Sequence, residues 1–465
     1  MKKIGIVLIT IILSLCLFAC DENGNGGNEL EEEITRFTLP GKPDYGEPVS
    51  VHDPSVMKAL DGMFYAFGSH FAVSKSADLI KWEQVSRDGG HRNLYQDWRA
   101  VLRDGLEYVP GAGSTWAPSV ILLDGKYYMY YSLSTFGSQV SYIGRVVADS
   151  PLGPYGDSKE ILRSGNINGP NAIDPEVFFD QEGRLWMVYG SFFAGIYIKE
   201  LHNKGKMIGL PKEEGFGKRL WAGNMQNGPE GPYIFYNSKT GYYYLMTSHG
   251  SLSSNYNMRV ARSKNPDGPY LDPYGNDVAE VQAGGVKLAG NYQFSGQNGR
   301  AALGHNSVIQ VGNQFFVVHH LRFREGKNGV SGYHNQQTRQ LFFNEDGWPV
   351  LSPNRYAGEK LGSFRREDVF GEYDLIFHTN GNAISFSEAE TYGFQEDGIY
   401  KNGEPVGTWE LKGDYYITLS FGTETYKGVL VPQWIEHLDR PGIAITAVSQ
   451  DINNQASSVW AVKPV

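Results

Sequence analysis

The sequence is almost without cysteine. Of its 465 residues only two are cysteines, Cys16 and Cys20, and both lie within the first twenty positions. If this stretch is processed during export, the remainder of the chain cannot form a disulfide. The absence excludes a small disulfide-stapled scaffold and requires a large hydrophobic core to supply stability.

The apolar segment near the start of the chain is too short to span a membrane. Residues 4–18 form an apolar run after Lys2 and Lys3, and the segment ends in the letters LFAC. Such a run is typical of an export signal, and its end resembles a lipobox, in which cleavage precedes a cysteine that is then acylated. We predict a lipoprotein signal peptide over 1–20, with a lipid anchor at Cys20 as the one membrane attachment. An ordinary secretory signal is the alternative.

Positive charge is in deficit. The chain has 41 lysines and arginines against 51 acidic residues, a net charge of −10, and removal of Lys2 and Lys3 with the signal leaves −12. There is no basic patch with interleaved aromatic residues, which excludes nucleic acid as a partner. The charge disfavours an acidic polymer such as polygalacturonate and leaves neutral ligands open. The acidic, Gly- and Asn-rich stretch 21–41 is expected to be a solvated tether.

Helical periodicity is scarce, whereas glycine and aromatic residues are plentiful. The 57 glycines, 29 tyrosines, 24 phenylalanines and 9 tryptophans indicate a turn-rich, all-β protein. One layout recurs five times: a short strand, a turn containing glycine, then an aromatic strand. The five copies are 51–70, 116–132, 173–191, 228–248 and 304–320.

The spacing of the copies predicts a β-propeller. Taking Asp53, Ala117, Asp174, Glu230 and His305 as equivalent, the intervals are 64, 57, 56 and 75 residues, which is enough for four strands with generous loops. We predict a five-bladed β-propeller over 42–358. A β-sandwich is the competing all-β fold, but it does not produce a regular hairpin every sixty residues.

In a propeller the innermost strands run along a central channel, so the five equivalent residues should converge there. We expect the proline after Asp53 and Asp174 to hold each of these residues in the extended region. Three carboxylates buried together repel one another and lose hydration. We therefore infer acid/base chemistry for Asp53, Asp174 and Glu230, rather than a structural role for all three.

The motifs HDPSV, TWAPSV, NAIDPEVFFDQEGRLWMVYGSFFAGI, NGPEGPYIFYN and GHNSVI, in this order, resemble those of glycoside hydrolase family 43. Within the family they are most similar to the endo-α-1,5-L-arabinanases, and the resemblance covers about residues 45–355. It implies inversion at the anomeric carbon, with Asp53 as general base and Glu230 as general acid. Asp174 is implied to raise the pKa of the acid and to orient it. In an inverting enzyme, base and acid lie about 6.5–9.5 Å apart.

The same resemblance implies a hydrated metal ion, usually calcium, beside His305 at the centre of the channel. Calcium prefers oxygen ligands, so the residues alone do not suggest it. The alternative is a neutral histidine that hydrogen-bonds Asp174 or water. His319 and His320 are adjacent in a predicted strand and face opposite sides, so we expect neither to be a ligand.

Further positions are expected to contact substrate. Trp116 resembles a residue that stacks on sugar, with a core tryptophan as the alternative. His52 precedes the predicted base and either contacts substrate or only packs. The family also places four further positions next to its substrate contacts: Phe71, Asn171, Ala172 and Ser191. The stretch 248–263 departs from the Cys- and Gly-rich loop that many arabinanases carry, which leaves endo or exo action open.

After the predicted propeller the pattern changes. Residues 359–465 contain alternating segments such as YDLIFHT and DYYITLSFG, which predict a small C-terminal β-barrel or sandwich domain. The domain shows no constellation of sugar-binding residues. We therefore expect it to pack against the propeller rather than to bind glycan.

Taken together, the sequence predicts an exported lipoprotein at the cell surface, outer membrane or periplasm that hydrolyses neutral arabinan, with endo action and as a monomer. The rival activities are an exo-acting α-L-arabinofuranosidase or β-xylosidase of the same family. The rival from another class is a lipoprotein that binds glycan without catalysis, which would have no use for three buried carboxylates. No organic cofactor is expected.

Overall fold

The computed structural model of the protein describes residues 35–165, 168–281, 284–326, 329–451 and 456–465. The predicted signal peptide, Cys20 and most of the predicted tether lie outside the described residues, and those predictions stay untested. Among the described residues, no helix has both the length and the apolar character needed to cross a membrane.

Four antiparallel sheets of four strands form the larger part of a β-propeller, and in each sheet the strands follow one another in chain order. The first two sheets contain β1 (Ser55–Lys58), β2 (Phe64–Phe67), β3 (Val73–Ser76), β4 (Trp82–Ser86), β5 (Trp116–Leu123), β6 (Lys126–Leu133), β7 (Ser141–Ala148) and β8 (Gly156–Ser164). The next two contain β9 (Glu176–Phe179), β10 (Leu185–Tyr189), β11 (Gly195–Leu201), β12 (Lys218–Ala222), β13 (Glu230–Asn237), β14 (Tyr242–His249), β15 (Asn257–Ser263) and β16 (Val286–Ala289).

The fifth predicted copy lies in a larger sheet of seven strands. Its central hairpin is β18 with β19, and the sheet order is β22-β21-β19-β18-β17-β24, with β20 paired to β19. The strands are β17 (Tyr292–Gln293), β18 (Arg300–Val311), β19 (Gln314–Glu325), β20 (Gly329–Val330), β21 (Asn335–Phe343), β22 (Pro349–Leu351) and β24 (Ser387–Glu388).

All five predicted hairpins form antiparallel pairs, from β1 with β2 to β18 with β19. Their turns use a glycine in the left-handed region, where a side chain would be strained. The second strands are almost wholly buried because their side chains pack between neighbouring sheets. The turn glycines are Gly62, Gly125, Gly183, Gly241 and Gly312, with φ between 58° and 84°.

Short helices, which the sequence did not predict, occupy an insertion between the first two sheets. The α-helices are α1 (Trp98–Val101), α2 (Arg103–Tyr108) and, after the propeller, α3 (Arg366–Val369), and single 3₁₀ turns lie at Ser69–Phe71, His91–Asn93, Gly205–Met207 and Glu436–Leu438. The side chain of Asp97 caps α1 by accepting the N–H of Ala100 at 3.2 Å. Helices this short show too little periodicity to stand out in a sequence.

The C-terminal region is a closed barrel of eight antiparallel strands, which decides between the barrel and the sandwich that the sequence left open. Strand β24 follows β23 in the chain but is not part of the barrel. It pairs in parallel with β17 of the seven-stranded sheet. The barrel strands are β23 (Gly371–Thr379), β25 (Glu390–Gln395), β26 (Gly398–Lys401), β27 (Glu404–Lys412), β28 (Tyr416–Phe421), β29 (Glu424–Ile435), β30 (Arg440–Ser449) and β31 (Ala456–Pro464).

The barrel and the propeller share one hydrophobic core. Met258 and Leu288 of the fourth sheet belong to the same buried cluster as Val431, Trp460 and Val462 of the barrel. Burial of apolar side chains on both sides stabilises the contact by about 25 cal/mol per Å² of apolar surface. The expected packing role of the C-terminal domain agrees with this shared core.

A buried carboxyl group joins three sheets of the propeller. Glu176 on β9 is 7% exposed and is hydrogen-bonded by the side chains of Ser119 on β5 and Tyr233 on β13. Burial raises the pKa of Glu176 to about 8 from its ordinary 4.5, although these two hydrogen bonds act in the opposite direction. The folded protein therefore keeps a proton on Glu176 at pH values where the unfolded chain has lost it.

This difference makes stability depend on pH. The contribution of Glu176 is fully present below pH 4.5 and is lost as the pH rises toward 8. We predict that Glu176→Gln, which carries no charge, raises the melting temperature by a few degrees at pH 9 and leaves it unchanged at pH 4.5. Calorimetry at both pH values checks this, with Glu182→Gln, at an exposed turn of the same hairpin, as control. An equal gain at both pH values would contradict the prediction.

Candidate active site

The backbone bends sharply within or just before the innermost strands. Asp53, Ala117, Asp174 and His305 have positive φ angles of 54°, 37°, 57° and 44°, a conformation that costs a residue with a side chain about 1–2 kcal/mol. The expectation that proline keeps Asp53 and Asp174 extended is therefore wrong. The physical reason is that the bend turns each backbone N–H toward the neighbouring sheet, where it is hydrogen-bonded.

These four N–H groups each donate to a side chain that lies on, or just after, the second strand of the preceding sheet. The bonds therefore join consecutive sheets, and the last of them joins the seven-stranded sheet to the first sheet. They run from Ala117 N to Ser69 Oγ at 2.8 Å, from Asp174 N to Ser132 Oγ at 3.0 Å, from His305 N to Ser248 Oγ at 2.8 Å and from Asp53 N to His320 Nδ1 at 3.1 Å.

The fourth sheet departs from this pattern by one residue. The residue with positive φ is Gly231 at 56°, so the predicted equivalence of Glu230 with the other bend residues is wrong by one position. A Cβ atom on Gly231 would lie 3.0 Å from His305 Nδ1, so a side chain does not fit there. The N–H of Gly231 donates to Asp174 Oδ2 at 3.1 Å. Ser191, the counterpart of the other serines, is thus left to donate to Glu230 Oε2 at 2.9 Å.

Asp53 is surrounded by hydrogen-bond donors and imidazoles. Its Oδ2 accepts from Ser69 Oγ at 2.5 Å, and its Oδ1 lies 3.1 Å from His52 Nε2, 3.2 Å from His305 Nδ1 and 3.6 Å from His320 Nδ1. Burial by itself raises the pKa of Asp53, but the imidazoles of His52, His305 and His334 and the Ser69 hydroxyl outweigh it and lower the pKa to about 2. Asp53 is therefore a carboxylate at neutral pH.

Three imidazoles form a cluster beside Asp53. His52 and His334 stack at 3.8 Å, and His320 lies 4.7–4.8 Å from both. Burial lowers the pKa of all three, that of His334 to about 3, so they are neutral. One nitrogen from each lies within 4.8 Å of the others. His320 Nδ1 already accepts the N–H of Asp53, so its Nε2 carries the proton and cannot ligate a metal while this bond persists.

Glu230 and Asp174 form a pair of acidic side chains whose surroundings differ from those of Asp53. Burial first, and the charge of Asp174 second, raise the pKa of Glu230 to about 7, against the hydrogen bonds from Tyr256 and Ser191. Burial and the charge of Asp53 raise the pKa of Asp174 to about 8. The pair therefore retains a proton near neutral pH while Asp53 does not. A carboxylate and a protonated carboxyl group in one site can act as a base and an acid.

The possible ligand atoms around His305 suit a cation that keeps its water ligands better than a cation bound wholly by protein atoms. The His305 side chain is 14% exposed, and its Nδ1 faces Asp53, which leaves Nε2 as the nitrogen that could bind an ion. The three carboxylates already accept hydrogen bonds from Ser69, Ser191 and the Gly231 N–H. A calcium ion at this point would take one ligand from His305 and the others from water.

Three of the predicted substrate contacts differ in exposure. Trp116, at the start of β5, is half-buried. Asn171 is 3% exposed; its Nδ2 donates to Ser138 O at 3.4 Å, while its buried Oδ1 has no partner among the described residues. Ala172 is fully buried, and its N–H donates to Ser164 Oγ at 2.9 Å. Of the three, Trp116 leaves the most side-chain surface open to a substrate, whereas Asn171 Oδ1 is shielded from solvent.

Phe71 is a packing residue next to the site rather than an exposed contact. It is 2% exposed and packs against Trp98 of the helical insertion at 5.2 Å between ring centroids. The preceding residue, His70, lies 6.2 Å from His52 and hydrogen-bonds Ser114 Oγ at 2.5 Å. An open cavity of about 730 Å³ lies beside His70 and Ser114. This surface extends the site toward the insertion.

Four residues of the site were missed from sequence. Ser69 and His320 occupy the same place as Ser132, Ser191 and Ser248, so alignment of the repeats at the ends of the second strands could have found them. His334 and Tyr256 follow no repeat, because they reach the site from loops. His319 faces away, where Arg339 Nε donates to its Nε2 at 3.2 Å.

Comparison with known proteins agrees with this geometry. Residues 45–349 match Glycosyl hydrolases family 43, and residues 353–461 match a C-terminal lipocalin-like domain. The chain is 39% identical to the extracellular endo-α-(1→5)-L-arabinanase of Thermotoga petrophila, over 89% of this chain and 93% of that protein. It is 38% identical to the extracellular endo-α-(1→5)-L-arabinanase 2 of Bacillus subtilis, over 92% and 97%.

A solved structure resembles the whole described fold. The crystal structure of the endo-1,5-α-L-arabinanase from Thermotoga petrophila superposes with a TM-score of 0.82 at 38% identity, covering 93% of this chain and 100% of that one. The resemblance and the enzyme predicted from the motifs are both confirmed. The chain belongs to glycoside hydrolase family 43 and is a glycoside hydrolase.

Proposed function

We propose that the protein cleaves the α-1,5-linked backbone of arabinan by endo action. The single observation that carries this is the site itself: a carboxylate, Asp53, stands opposite a carboxyl pair that retains a proton, Glu230 and Asp174. The two relatives named above are endo-α-(1→5)-L-arabinanases that align with most of the chain. The net charge of −10 suits a neutral polysaccharide.

We propose further that strands β18, β19, β21 and β22 serve as the fifth blade of the propeller. Their hairpin repeats the layout of the other four sheets, with a bend at His305 that hydrogen-bonds Ser248 of the fourth sheet. The bond from Asp53 N to His320 then closes the ring between the last unit and the first. Strands β17, β20 and β24 are additions at the edges of this unit.

The roles proposed for the three carboxyl groups follow from their environments. Asp53 stays ionised and accepts a proton from the attacking water. Glu230, whose pKa burial raises to about 7, donates its proton to the leaving oxygen. Asp174 shares the retained proton with Glu230, and when Asp174 is ionised its charge keeps that proton on Glu230. By accepting the Gly231 N–H, Asp174 also fixes the backbone beside the acid.

In one step the water oxygen bonds to the anomeric carbon as the bond to the leaving oxygen breaks. One proton of the water passes to Asp53, and the proton of Glu230 passes to the leaving sugar. The product has inverted configuration, and exchange with solvent then returns Asp53 and Glu230 to their starting protonation states. Asn171, Ser191, Trp116 and His52 are proposed to line the substrate.

Export is proposed on two grounds. The relatives of Thermotoga petrophila and Bacillus subtilis are named extracellular, and the first twenty residues have the pattern of a signal peptide. Lipid attachment at Cys20 and a monomeric state remain proposals from the sequence.

Hydrolysis of linear arabinan tests the function. We predict that the first products are arabino-oligosaccharides of mixed length, with viscosity falling faster than reducing ends appear, because endo action cuts within the chain. Product analysis by ion-exchange chromatography in the first minutes measures this, with xylan and nitrophenyl arabinofuranoside as comparison substrates. Arabinose as the sole early product would favour exo action, and turnover of xylan alone would contradict the arabinan assignment.

Glu230→Gln tests the proposed acid. We predict that the variant binds arabinan like the unmodified enzyme but loses kcat by about 10²–10⁴-fold. In the unmodified enzyme, kcat/KM should fall above pH 7, where Glu230 loses its proton in the free enzyme. Glu359→Gln is the control, since Glu359 is buried and its pKa is likewise raised to about 7, but it lies against Ala357 and Gln433 of another region. Unchanged turnover in Glu230→Gln would remove it from its role.

We propose that a hydrated calcium ion binds at His305. When bound, the cation would offset the negative potential of the three carboxyl groups. We predict that calcium raises the melting temperature of chelator-treated protein, since binding stabilises by about 2.7 kcal/mol at one hundred times Kd. In His305→Ala this rise should disappear. Differential scanning fluorimetry with elemental analysis measures both effects, and an equal rise in His305→Ala would contradict the assignment.

A further inference from the structure

A loop of the C-terminal barrel inserts into a polar recess of the fourth sheet. The loop is 380–384, between β23 and β24. Lys287 Nζ donates to Thr379 O at 3.0 Å and to Gly381 O at 2.8 Å, and Arg259 Nη2 donates to Asn380 O at 2.6 Å. Lys287 and Arg259 are 6% and 5% exposed. Such buried donors hold the loop firmly, because a buried polar group without its partner costs about 1–3 kcal/mol.

Asn382 lies at the centre of this loop, and its amide has one possible orientation. Its Oδ1 accepts from Asn257 Nδ2 at 3.0 Å and from Arg259 Nη2 at 3.2 Å. Since arginine only donates, the atom facing it must be the oxygen. The amide nitrogen of Asn382 therefore faces the other way, and it donates to Asn227 Oδ1 at 3.1 Å.

Asn227 belongs to the turn that leads directly into Glu230. The turn is closed by the pairing of Asn224 with Gly228, and the carbonyl of Asn227 accepts the N–H of Gly250 at 2.9 Å. Two residues separate Asn227 from the acid, Gly228 and Pro229. Asn382, which lies outside the propeller, thus contacts the segment that leads into Glu230.

We propose that Asn382, a residue of the C-terminal domain, is a positioning residue for Glu230. It holds the 224–228 turn through Asn227, and the turn sets where the carboxyl group of Glu230 stands relative to the leaving oxygen. The inference rests on the proposed function of Glu230 as general acid. It assigns to the C-terminal domain a part in catalysis beyond the packing that its shared core provides.

The chemistry shows why this contact matters. A general acid must lie within hydrogen-bond reach of the oxygen that it protonates, and a displacement of about 1 Å can lower the rate by about 10²-fold. Within the propeller, Ser191 holds the carboxyl group of Glu230 and the N–H of Phe192 holds Pro229 O at 2.8 Å. Asn382 adds the restraint on the preceding turn.

Asn382→Asp removes the donated hydrogen bond and adds a negative charge beside Arg259. The new side chain has the same shape and still accepts from Asn257 and Arg259, but it presents an oxygen to Asn227 Oδ1. Two substrates of equal length are compared: a linear α-1,5-arabino-oligosaccharide, and the 2,4-dinitrophenyl glycoside of such an oligosaccharide, whose leaving group needs no protonation. We expect kcat on the first to fall by about tenfold and kcat on the second by less than about twofold.

Two further variants make the test specific. Asn227→Ala removes the acceptor of the same bond and should reproduce the selective loss, and the double variant should lose no more than the worse single variant. Thr446→Val is the matched control, because Thr446 Oγ1 donates to Leu351 O at 2.7 Å across the same domain interface, away from Glu230. It should leave the ratio of the two rates unchanged. Circular dichroism melting shows that each variant is folded.

Equal losses on both substrates in Asn382→Asp, no loss on either, or the same selective loss in Thr446→Val would each overturn the inference. A failure of the proposed function would be seen separately, because the unmodified enzyme would then cleave neither substrate. A selective loss in Asn382→Asp and Asn227→Ala, absent in Thr446→Val, supports the positioning role.

Discussion

The active site depends on one hydrogen bond that is repeated between sheets. Within or just before an innermost strand the backbone bends into the left-handed region, and the N–H at the bend donates to a side chain on, or just after, the second strand of the preceding sheet. The bend costs about 1–2 kcal/mol at each residue with a side chain, and the bond offsets part of this. The positions of Asp53, Asp174 and His305 are therefore set between sheets rather than within them. This accounts for the loss of regular strand pairing around 116–119, 230–233 and 304–307.

The fourth sheet is the exception to this pattern, and the exception sets the proposed acid, Glu230, apart from the other central residues. In the fourth sheet glycine takes the bend, and its N–H is held by Asp174 instead of by a serine. The released serine, Ser191, then binds Glu230. A shift of one residue thus places a carboxyl group beside the bend instead of on it, and brings Asp174 and Glu230 into electrostatic contact.

Electrostatics then separates three carboxyl groups of similar chemistry into different roles. All three are buried, which by itself favours the protonated form. Around Asp53 the imidazoles and the Ser69 hydroxyl overcome burial and lower the pKa, whereas around Glu230 burial and the charge of Asp174 act in the same direction and raise it. The C-terminal barrel contributes through a shared core and through the loop at Asn382, so that the propeller and the barrel form one structure around the site.

The sequence by itself determined the hairpins, the all-β class and three of the groups at the centre, Asp53, Asp174 and His305. Strand periodicity, turn glycines and repeat spacing are local properties that can be read along a chain. The sequence also pointed to Glu230, although one position away from the true equivalence, because spacing cannot show which residue bends.

Only the tertiary structure decided the surroundings that give these groups their chemistry. His320, His334 and Tyr256 come from distant segments and meet Asp53 or Glu230 only when the sheets close together. The sequence likewise contains no local pattern that predicts the seven-stranded sheet, the short helices of the insertion or the contact from Asn382 to Asn227. The physical reason is that pKa, backbone strain and hydrogen-bond direction depend on neighbours in space, whereas a sequence records neighbours along the chain.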